Sequence, residues 1–203
     1  MPNSIWPKMG QVVLGVAGPI ASGKTWFCHK LETYLSQYSQ VNHISLDNIR
    51  RNALWRSMST RHIELRQRLA EFFKLSIDPN YFFDRTIFTA SIFKDEISFN
   101  MYRLISTPIL MLDVVDVLDD NSINIIEWAL LVEEGYTRFM THQIFYMDTP
   151  ENIRTIRLAK QNEPLVQQRL HLIHTEYSTG LKVKPDDTPE SCLKKIGISY
   201  DFL

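Results

Sequence analysis

The chain of 203 residues is 44% hydrophobic and 22% charged, and its formal net charge is −1. These values predict one compact domain with room for a small inserted subdomain, and they argue against a disordered chain. The near-neutral charge gives no reason to expect nucleic acid or an anionic membrane as the main partner.

The cysteines and the apolar segments bear on the cellular compartment of the protein. Cys28 and Cys192 are the two cysteines, and neither has the CxxC spacing of a metal or redox motif. We therefore predict reduced thiols in a cytoplasmic protein. Residues 1–10 lack the apolar central region of a signal peptide. The longest apolar stretch, residues 123–132, is interrupted by Asn124 and Glu127 and is too short to span a membrane.

Strand-like and helix-like segments alternate along the chain. Strand-like runs are predicted at residues 11–16, 41–45, 123–128, 143–147 and 181–183. Helical stretches are predicted between them, at residues 24–38, 48–118 and 150–177. Within the second of these, an amphipathic stripe is predicted from Ile63, Leu65, Leu69, Phe72 and Phe73. Such alternation predicts an α/β fold with a mainly parallel five-stranded sheet.

The connection between the second and third strand-like runs is unusually long. We interpret it as an inserted helical lobe, about residues 51–118, in a single domain whose core is about residues 10–50 and 119–203. The lobe either binds substrate or only covers the sheet, and the sequence favours neither function.

Residues 18–25, GPIASGKT, match the pattern GxxxxGK[ST] and stand between an apolar strand and a helix. Gly18 and Gly23 let the backbone bend close to phosphate, and the amides that follow form an anion site. Lys24 supplies a cation for the β- and γ-phosphates, and the Thr25 hydroxyl can hold Mg²⁺. We predict a P-loop NTPase fold, a three-layer α/β/α architecture, that binds ATP and Mg²⁺. The predicted ATP-binding residues here are Gly18, Ala21, Ser22, Gly23, Lys24, Thr25 and Trp26.

Two acids lie near the carboxyl ends of predicted strands, Asp47 after the second and Glu127 on the third, and such ends meet at the same edge of a parallel sheet. Asp47 can accept a proton from a substrate hydroxyl or orient Mg²⁺, or it can cap the helix that begins at Asn48. Glu127 is predicted to assist Mg²⁺, and its alternative role is that of an acid facing water at a strand end.

The last long helical stretch carries cations and two histidines. Arg157, with Arg154 and Lys160, can stabilise the charge that develops on a transferring phosphoryl group, or can form a solvated basic face. His171 and His174 lie three residues apart without a third metal ligand nearby, and we interpret them as surface histidines.

The order of these motifs resembles the dephospho-coenzyme A kinase family. Residues 15–25, GVAGPIASGKT, are similar to its G-x-T-G-G-I-G-S-G-K-S opening, and residues 44–51, ISLDNIRR, to its I-D-A-D-x-I-A-R stretch. Residues 126–135, IEWALLVEEG, resemble its D-x-P-L-L-F-E-x-G, and residues 183–188, VKPDDT, its adenine loop. The resemblance implies an ATP- and Mg²⁺-dependent kinase that phosphorylates the ribose 3′-hydroxyl of dephospho-coenzyme A.

The same resemblance assigns further residues. It implies a base role for Asp47, acceptor contacts at Arg51 and Glu133, and an adenine contact at Pro185. The chain departs from the family pattern at Ser45, Thr107, Ala129, Pro185 and Gln161. Two alternatives therefore stay open: a nucleoside or nucleotide kinase, and a catalytically impaired nucleotide-binding regulatory protein of the same fold. The expected partner is a small-molecule substrate, and the expected state is a monomer or a weak homo-oligomer.

Overall fold

The computed structural model describes residues 11–142, 144–160 and 180–198. The strands are β1 (Val13–Ala17), β2 (Val41–Ser45), β3 (Ile123–Glu127), β4 (Ile144–Met147) and β5 (Leu181–Val183). The helices are α1 (Lys24–Leu35), α2 (Leu46–Trp55), α3 (Thr60–Phe73), α4 (Arg85–Ile92), α5 (Glu96–Val117), α6 (Glu151–Ala159) and α7 (Pro189–Lys195), with a 3₁₀ turn at Tyr136–Phe139.

These elements form two compact units. The described part of the first unit is residues 11–45, 117–142, 144–160 and 180–198, and it contains all five strands. The second unit contains residues 46–116 and is built from helices. That this helical segment binds substrate stays a prediction.

The sheet of the first unit has the strand order β2-β3-β1-β4-β5, and every neighbouring pair is parallel. All five residues of β1 and all five of β3 are buried, which explains why both strands are apolar over most of their length. The predicted α/β class with a five-stranded parallel sheet is confirmed. The register pairs Ser45 with Glu127 and Val16 with Glu127, so the carboxyl ends of three strands meet at one edge.

One face of the sheet packs against α1 and α7. Its core combines alternate residues of the strands with the inner faces of the two helices, including Leu14, Ile125, Phe27, Leu31 and Cys192. Each large side chain buried in this way contributes roughly 1.5–3 kcal/mol relative to exposure. On the opposite face the chain approaches closely at Gly15, where an added Cβ would lie 2.9 Å from Met140 Sδ.

The helix boundaries differ from the sequence-based ones in each of the predicted helical stretches. The first helix ends at Leu35 rather than at 38, and the predicted segment 48–118 divides into four helices separated by turns. α2 begins at Leu46, whose side chain is buried, so Asp47 lies in the first helical turn and does not cap the helix. Of the predicted helix 150–177, residues 151–159 form α6. Residues 161–177, with Gln161, His171 and His174, lie outside the described residues.

The predicted apolar stripe of α3 is partly wrong. Leu65 and Leu69 are buried as expected, whereas Phe72 is 46% exposed and Arg66 is fully buried. Arg66 can occupy a core position because its guanidinium donates to three carbonyl oxygens, those of Tyr81 (2.7 Å), Ala53 (2.5 Å) and Ser57 (2.9 Å). Burial lowers the pKa of Arg66 from its ordinary value. Thus a buried cation links three backbone segments of the second unit, and an apolar sequence pattern does not predict its position.

Two further sequence-based expectations can be compared with the structure. Cys28 and Cys192 are both buried and are not joined in a disulfide; that they are reduced thiols stays a prediction. Burial raises the pKa of the Cys28 thiol well above its ordinary value. Within the described residues, the helices lack the combination of length and apolar character that crossing a membrane requires.

Candidate nucleotide site

The loop between β1 and α1 has the backbone of an anion site. Gly18 and Gly23 both have positive φ angles, +137° and +96°, which L-residues with a side chain rarely adopt. At Gly18 an added Cβ would also lie 3.0 Å from Met147 Cβ, so the loop leaves no room for one. The amide of Phe27 makes the first α1 bond, to Gly23 O. The N–H groups before it lie at the positive end of α1, where phosphate binds favourably.

Lys24 folds its side chain back over this loop. Its Nζ donates to the carbonyl oxygens of Gly18 (3.1 Å) and Pro19 (3.0 Å). A residue that follows β4 also holds the loop, because Thr149 Oγ1 donates to Ser22 O at 2.6 Å. Ser22 Oγ is buried and has no hydrogen-bond partner among the described residues. The arrangement therefore places a cation and a buried hydroxyl at a loop of positive electrostatic character.

Glu127 lies at the carboxyl end of β3 and contacts the beginning of α1. It is 7% exposed, and its Oε1 accepts from Thr25 Oγ1 at 2.5 Å. Its Oε2 lies 3.2 Å from His43 Nε2. Burial alone would raise the pKa of Glu127, but the hydrogen bonds from His43 and Thr25, with the charge of Lys24, lower that pKa below its ordinary value. An ionised carboxylate next to a hydroxyl provides the oxygen ligands that Mg²⁺ prefers, so these residues fit the predicted cation.

Two arginines of α6 also contact the loop. Arg154 Nε donates to Ile20 O and Arg157 Nη1 donates to Ala21 O, both at 3.0 Å. The two residues are three positions apart and therefore share a face of the helix. An added Cβ on Gly23 would lie 3.2 Å from Arg157 Nη1, which places the guanidinium directly over the loop. Thus part of the predicted basic cluster faces the loop rather than solvent alone.

The other predicted site residues occupy different positions. Asp47 and Arg51 belong to the second unit, where Asp47 Oδ1 accepts from Arg50 Nη2 at 2.9 Å and Arg51 is exposed. Glu133 and Pro185 are exposed in the turns that follow β3 and β5. Their catalytic, acceptor-binding and adenine-binding roles stay predictions.

Trp26 lies on the outer surface of α1. It is 49% exposed, and Lys30 Nζ lies 3.9 Å from the centre of its ring. Its predicted contact with nucleotide also stays a prediction.

Sequence reasoning missed two residues that contact the site. His43 bonds to Glu127, and Thr149 bonds to Ser22. For His43 a weak signal existed, because residues 43 and 45 share one face of β2 and β2 could be expected to lie near the strand that ends at Glu127. For Thr149 the sequence offered only its position after β4.

Comparison with known proteins gives a fold and no family. No family model matches the chain, and no curated protein matches it. The chain is similar to the crystal structure of TT1252 from Thermus thermophilus, with a TM-score of 0.64 and 15% identity over 92% of this chain and 96% of that chain. An unliganded sugar kinase from Janibacter sp. HTCC2649 gives a TM-score of 0.44 and 14% identity over 95% of this chain and 98% of that one. The first match supports the fold alone, and the second is too weak to do so. The first match and the backbone geometry of the loop of residues 18–25 together indicate a P-loop α/β fold.

Proposed function

We propose that this protein is an ATP- and Mg²⁺-dependent small-molecule kinase, with dephospho-coenzyme A as its leading acceptor. One observation carries the proposal. Lys24, the Thr25–Glu127 pair and Arg157 all contact the loop of residues 18–25, through the hydrogen bonds given above. A cation, an oxygen pair suited to Mg²⁺ and a second cation at one loop are the parts that phosphoryl transfer requires.

Each of these residues has a role in the proposal. The loop amides hold the β- and γ-phosphates, and Lys24 exchanges its carbonyl partners for phosphate oxygens. Thr25 and Glu127 would hold Mg²⁺, which would supply positive charge to neutralise the phosphate oxygens. Arg157 leaves Ala21 O and stabilises the γ-phosphoryl group as its charge develops.

The proposed reaction transfers the γ-phosphoryl group of ATP to an acceptor hydroxyl. The acceptor hydroxyl oxygen forms a bond to the γ-phosphorus while the bond from that phosphorus to the β–γ bridging oxygen breaks, which releases ADP. The hydroxyl proton passes to the Asp47 carboxylate in the proposal.

The identity of the acceptor rests on the sequence resemblance. The stretches around Asp47 and Glu133 resemble motifs of the dephospho-coenzyme A kinase family, so the ribose 3′-hydroxyl is the proposed nucleophile. Arg51 and Glu133 would contact the acceptor, and Pro185 and Trp26 the ATP. We propose a cytoplasmic enzyme that is monomeric or weakly self-associating.

The experiment is a transfer assay with ATP labelled on its γ-phosphorus. The purified chain receives Mg²⁺ and one acceptor at a time: dephospho-coenzyme A, nucleosides or nucleoside monophosphates. Label transferred to dephospho-coenzyme A, and absent with Lys24→Ala, supports the proposal. Transfer to a nucleoside or nucleotide alone would replace the acceptor. ATP binding without transfer to any acceptor would favour a regulatory protein, and failure to bind ATP with Mg²⁺ would refute the nucleotide site.

A further inference from the structure

A group of nitrogen and oxygen ligands lies on α1 and β2, on the side of His43 that faces away from Glu127. It consists of His29 and Glu32, three positions apart on α1, and His43 of β2; we name it the α1–β2 cluster. His29 Nδ1 lies 3.4 Å from Glu32 Oε2, and His43 Nδ1 lies 3.9 Å from the same oxygen. We propose that the α1–β2 cluster is a binding site for a divalent transition-metal ion of the Zn²⁺ type, separate from the nucleotide site; this inference does not rest on the proposed kinase activity.

The distances between the three ligand atoms favour a metal. Zn–N and Zn–O bonds of about 2.0–2.1 Å in tetrahedral geometry separate neighbouring ligand atoms by about 3.3 Å. All three atoms of the cluster already lie within 4.8 Å of one another. Small rotations of the His29 and Glu32 side chains would therefore complete the geometry. Two imidazoles and one carboxylate suit Zn²⁺ and similar ions better than Mg²⁺, which prefers oxygen ligands alone.

The contacts of His43 prepare it as a ligand. Its Nε2 lies 3.2 Å from the Glu127 carboxylate, which requires a proton on Nε2. The neutral ring then has its lone pair on Nδ1, the atom that faces Glu32. A metal-binding histidine commonly donates its second nitrogen to a carboxylate in this way, which fixes the tautomer and the ring orientation. Glu127 therefore supports His43 without being a ligand of this site.

The burial of the cluster permits entry of an ion. The His43 side chain is 12% exposed, that of Glu32 is 38% exposed and that of His29 is 65% exposed. The site is thus anchored on the sheet and open toward solvent. Three protein ligands leave a fourth position for water, as in zinc sites that are not closed by protein.

Two alternative explanations compete with a Zn²⁺ site at the α1–β2 cluster: simple ion pairing, and a metal site closer to the core. In the first, Glu32 forms only exposed ion pairs with protonated histidines, which contribute little. In the second, the metal binds the inner group of Cys28, His43 and Glu127, whose ligand atoms also lie within 4.8 Å of one another. Cys28 is fully buried, and burial disfavours the thiolate that a metal requires.

The test measures Zn²⁺ binding to the purified chain by calorimetry, without nucleotide and in a large excess of Mg²⁺, so that sites built from oxygen ligands are occupied. We expect one Zn²⁺ per chain with saturable binding. His29→Ala and Glu32→Gln should each weaken that binding by at least about tenfold. Because His29 is exposed and Glu32 is partly exposed, melting temperatures without metal should stay close to that of the wild type.

Controls decide between the sites. Cys28→Ala should keep wild-type affinity, and so should the double variant His171→Ala/His174→Ala, which removes the two histidines outside the described residues. Loss of binding in either control variant, with binding retained in His29→Ala, would overturn the proposal. Absence of saturable Zn²⁺ binding in the wild type would also overturn it, leaving simple ion pairs. Co²⁺ in place of Zn²⁺ gives a second measurement, because its visible absorption should report a mixed nitrogen and oxygen site without a thiolate band.

Discussion

The side chain of Lys24 provides the sharpest test of the nucleotide site. Its Nζ lies about 3 Å from two loop carbonyl oxygens, so a phosphate oxygen that replaces them would sit within about 4 Å of the charge. At an effective dielectric constant near 20 such a pair is worth about 4 kcal/mol. If that interaction acts mainly in the transition state, Lys24→Ala should lower kcat/KM for ATP by about three orders of magnitude.

The same substitution should disturb the fold far less. It removes two hydrogen bonds from a lysine to backbone carbonyls, each worth about 1 kcal/mol. For a chain of this size that predicts a fall in melting temperature of at most about 8 °C. Thermal unfolding of the variant checks that lost activity does not reflect lost structure.

Lys30→Ala is the matched control for this test. Lys30 is a solvent-exposed cation on the same helix, with its Nζ over the ring of Trp26. The control removes one positive charge from α1 without touching the loop, so its activity should stay within a few-fold of wild type. The assay is steady-state turnover with the best acceptor of the panel. A folded Lys24→Ala variant that keeps more than about a tenth of wild-type kcat/KM would refute the electrostatic role assigned to Lys24.

Three further substitutions test separate parts of the structure. Arg157→Gln should lower kcat by about 10²- to 10³-fold with little change in ATP affinity, and an unchanged kcat would show that its contact with the loop is only structural. Gly18→Ala should cost about 1–3 kcal/mol in chemical denaturation, and more than Gly197→Ala, because both positions have positive φ but an added Cβ at Gly197 meets nothing within 4 Å. Asp187→Asn should destabilise the protein at neutral pH. The backbone amide of Lys184, and then the Lys195 ammonium, lower the folded-state pKa of Asp187 below its ordinary 3.8, so its contribution is present above that pH and is lost as pH falls through the folded pKa. Equal unfolding midpoints of this variant and the wild type at neutral pH would contradict the assignment.

Local patterns accounted for the loop and the strands. A glycine pattern between an apolar run and a helix is a short-range signal, and β1, the loop and α1 lie where that signal predicts them. The meeting of Thr25 with Glu127 also follows from a general rule, since parallel strands bring their carboxyl ends to one edge.

Contacts that depend on distant partners could not be predicted in the same way. The buried Arg66 looks polar in sequence, and its burial becomes favourable because it donates to the carbonyl oxygens of Ala53 in α2, Ser57 and Tyr81. The bond of His43 to Glu127 joins residues that are 84 positions apart. It needs the strand register, which hydrophobic pattern alone does not specify for a short, half-buried strand such as β2.

The bond between His43 and Glu127 gives the two proposed ion sites a defined coupling. If His43 Nδ1 binds Zn²⁺, its Nε2–H becomes a stronger hydrogen-bond donor. The hydrogen bond from Nε2–H to Glu127 Oε2 then becomes stronger. The carboxylate then has less charge available for Mg²⁺ beside Thr25. Zn²⁺ should therefore weaken the binding of Mg²⁺ with ATP by a few-fold, and ATP should weaken Zn²⁺ binding by the same factor, because linkage is reciprocal.

Titrations of each ligand in the presence of the other measure both factors. In His29→Ala, which retains Glu127 and His43, the effect of Zn²⁺ on ATP should disappear over the Zn²⁺ range that saturates the wild type. Tighter binding of ATP in the presence of Zn²⁺ would contradict the coupling, since it would require Glu127 to gain rather than lose negative charge toward the nucleotide.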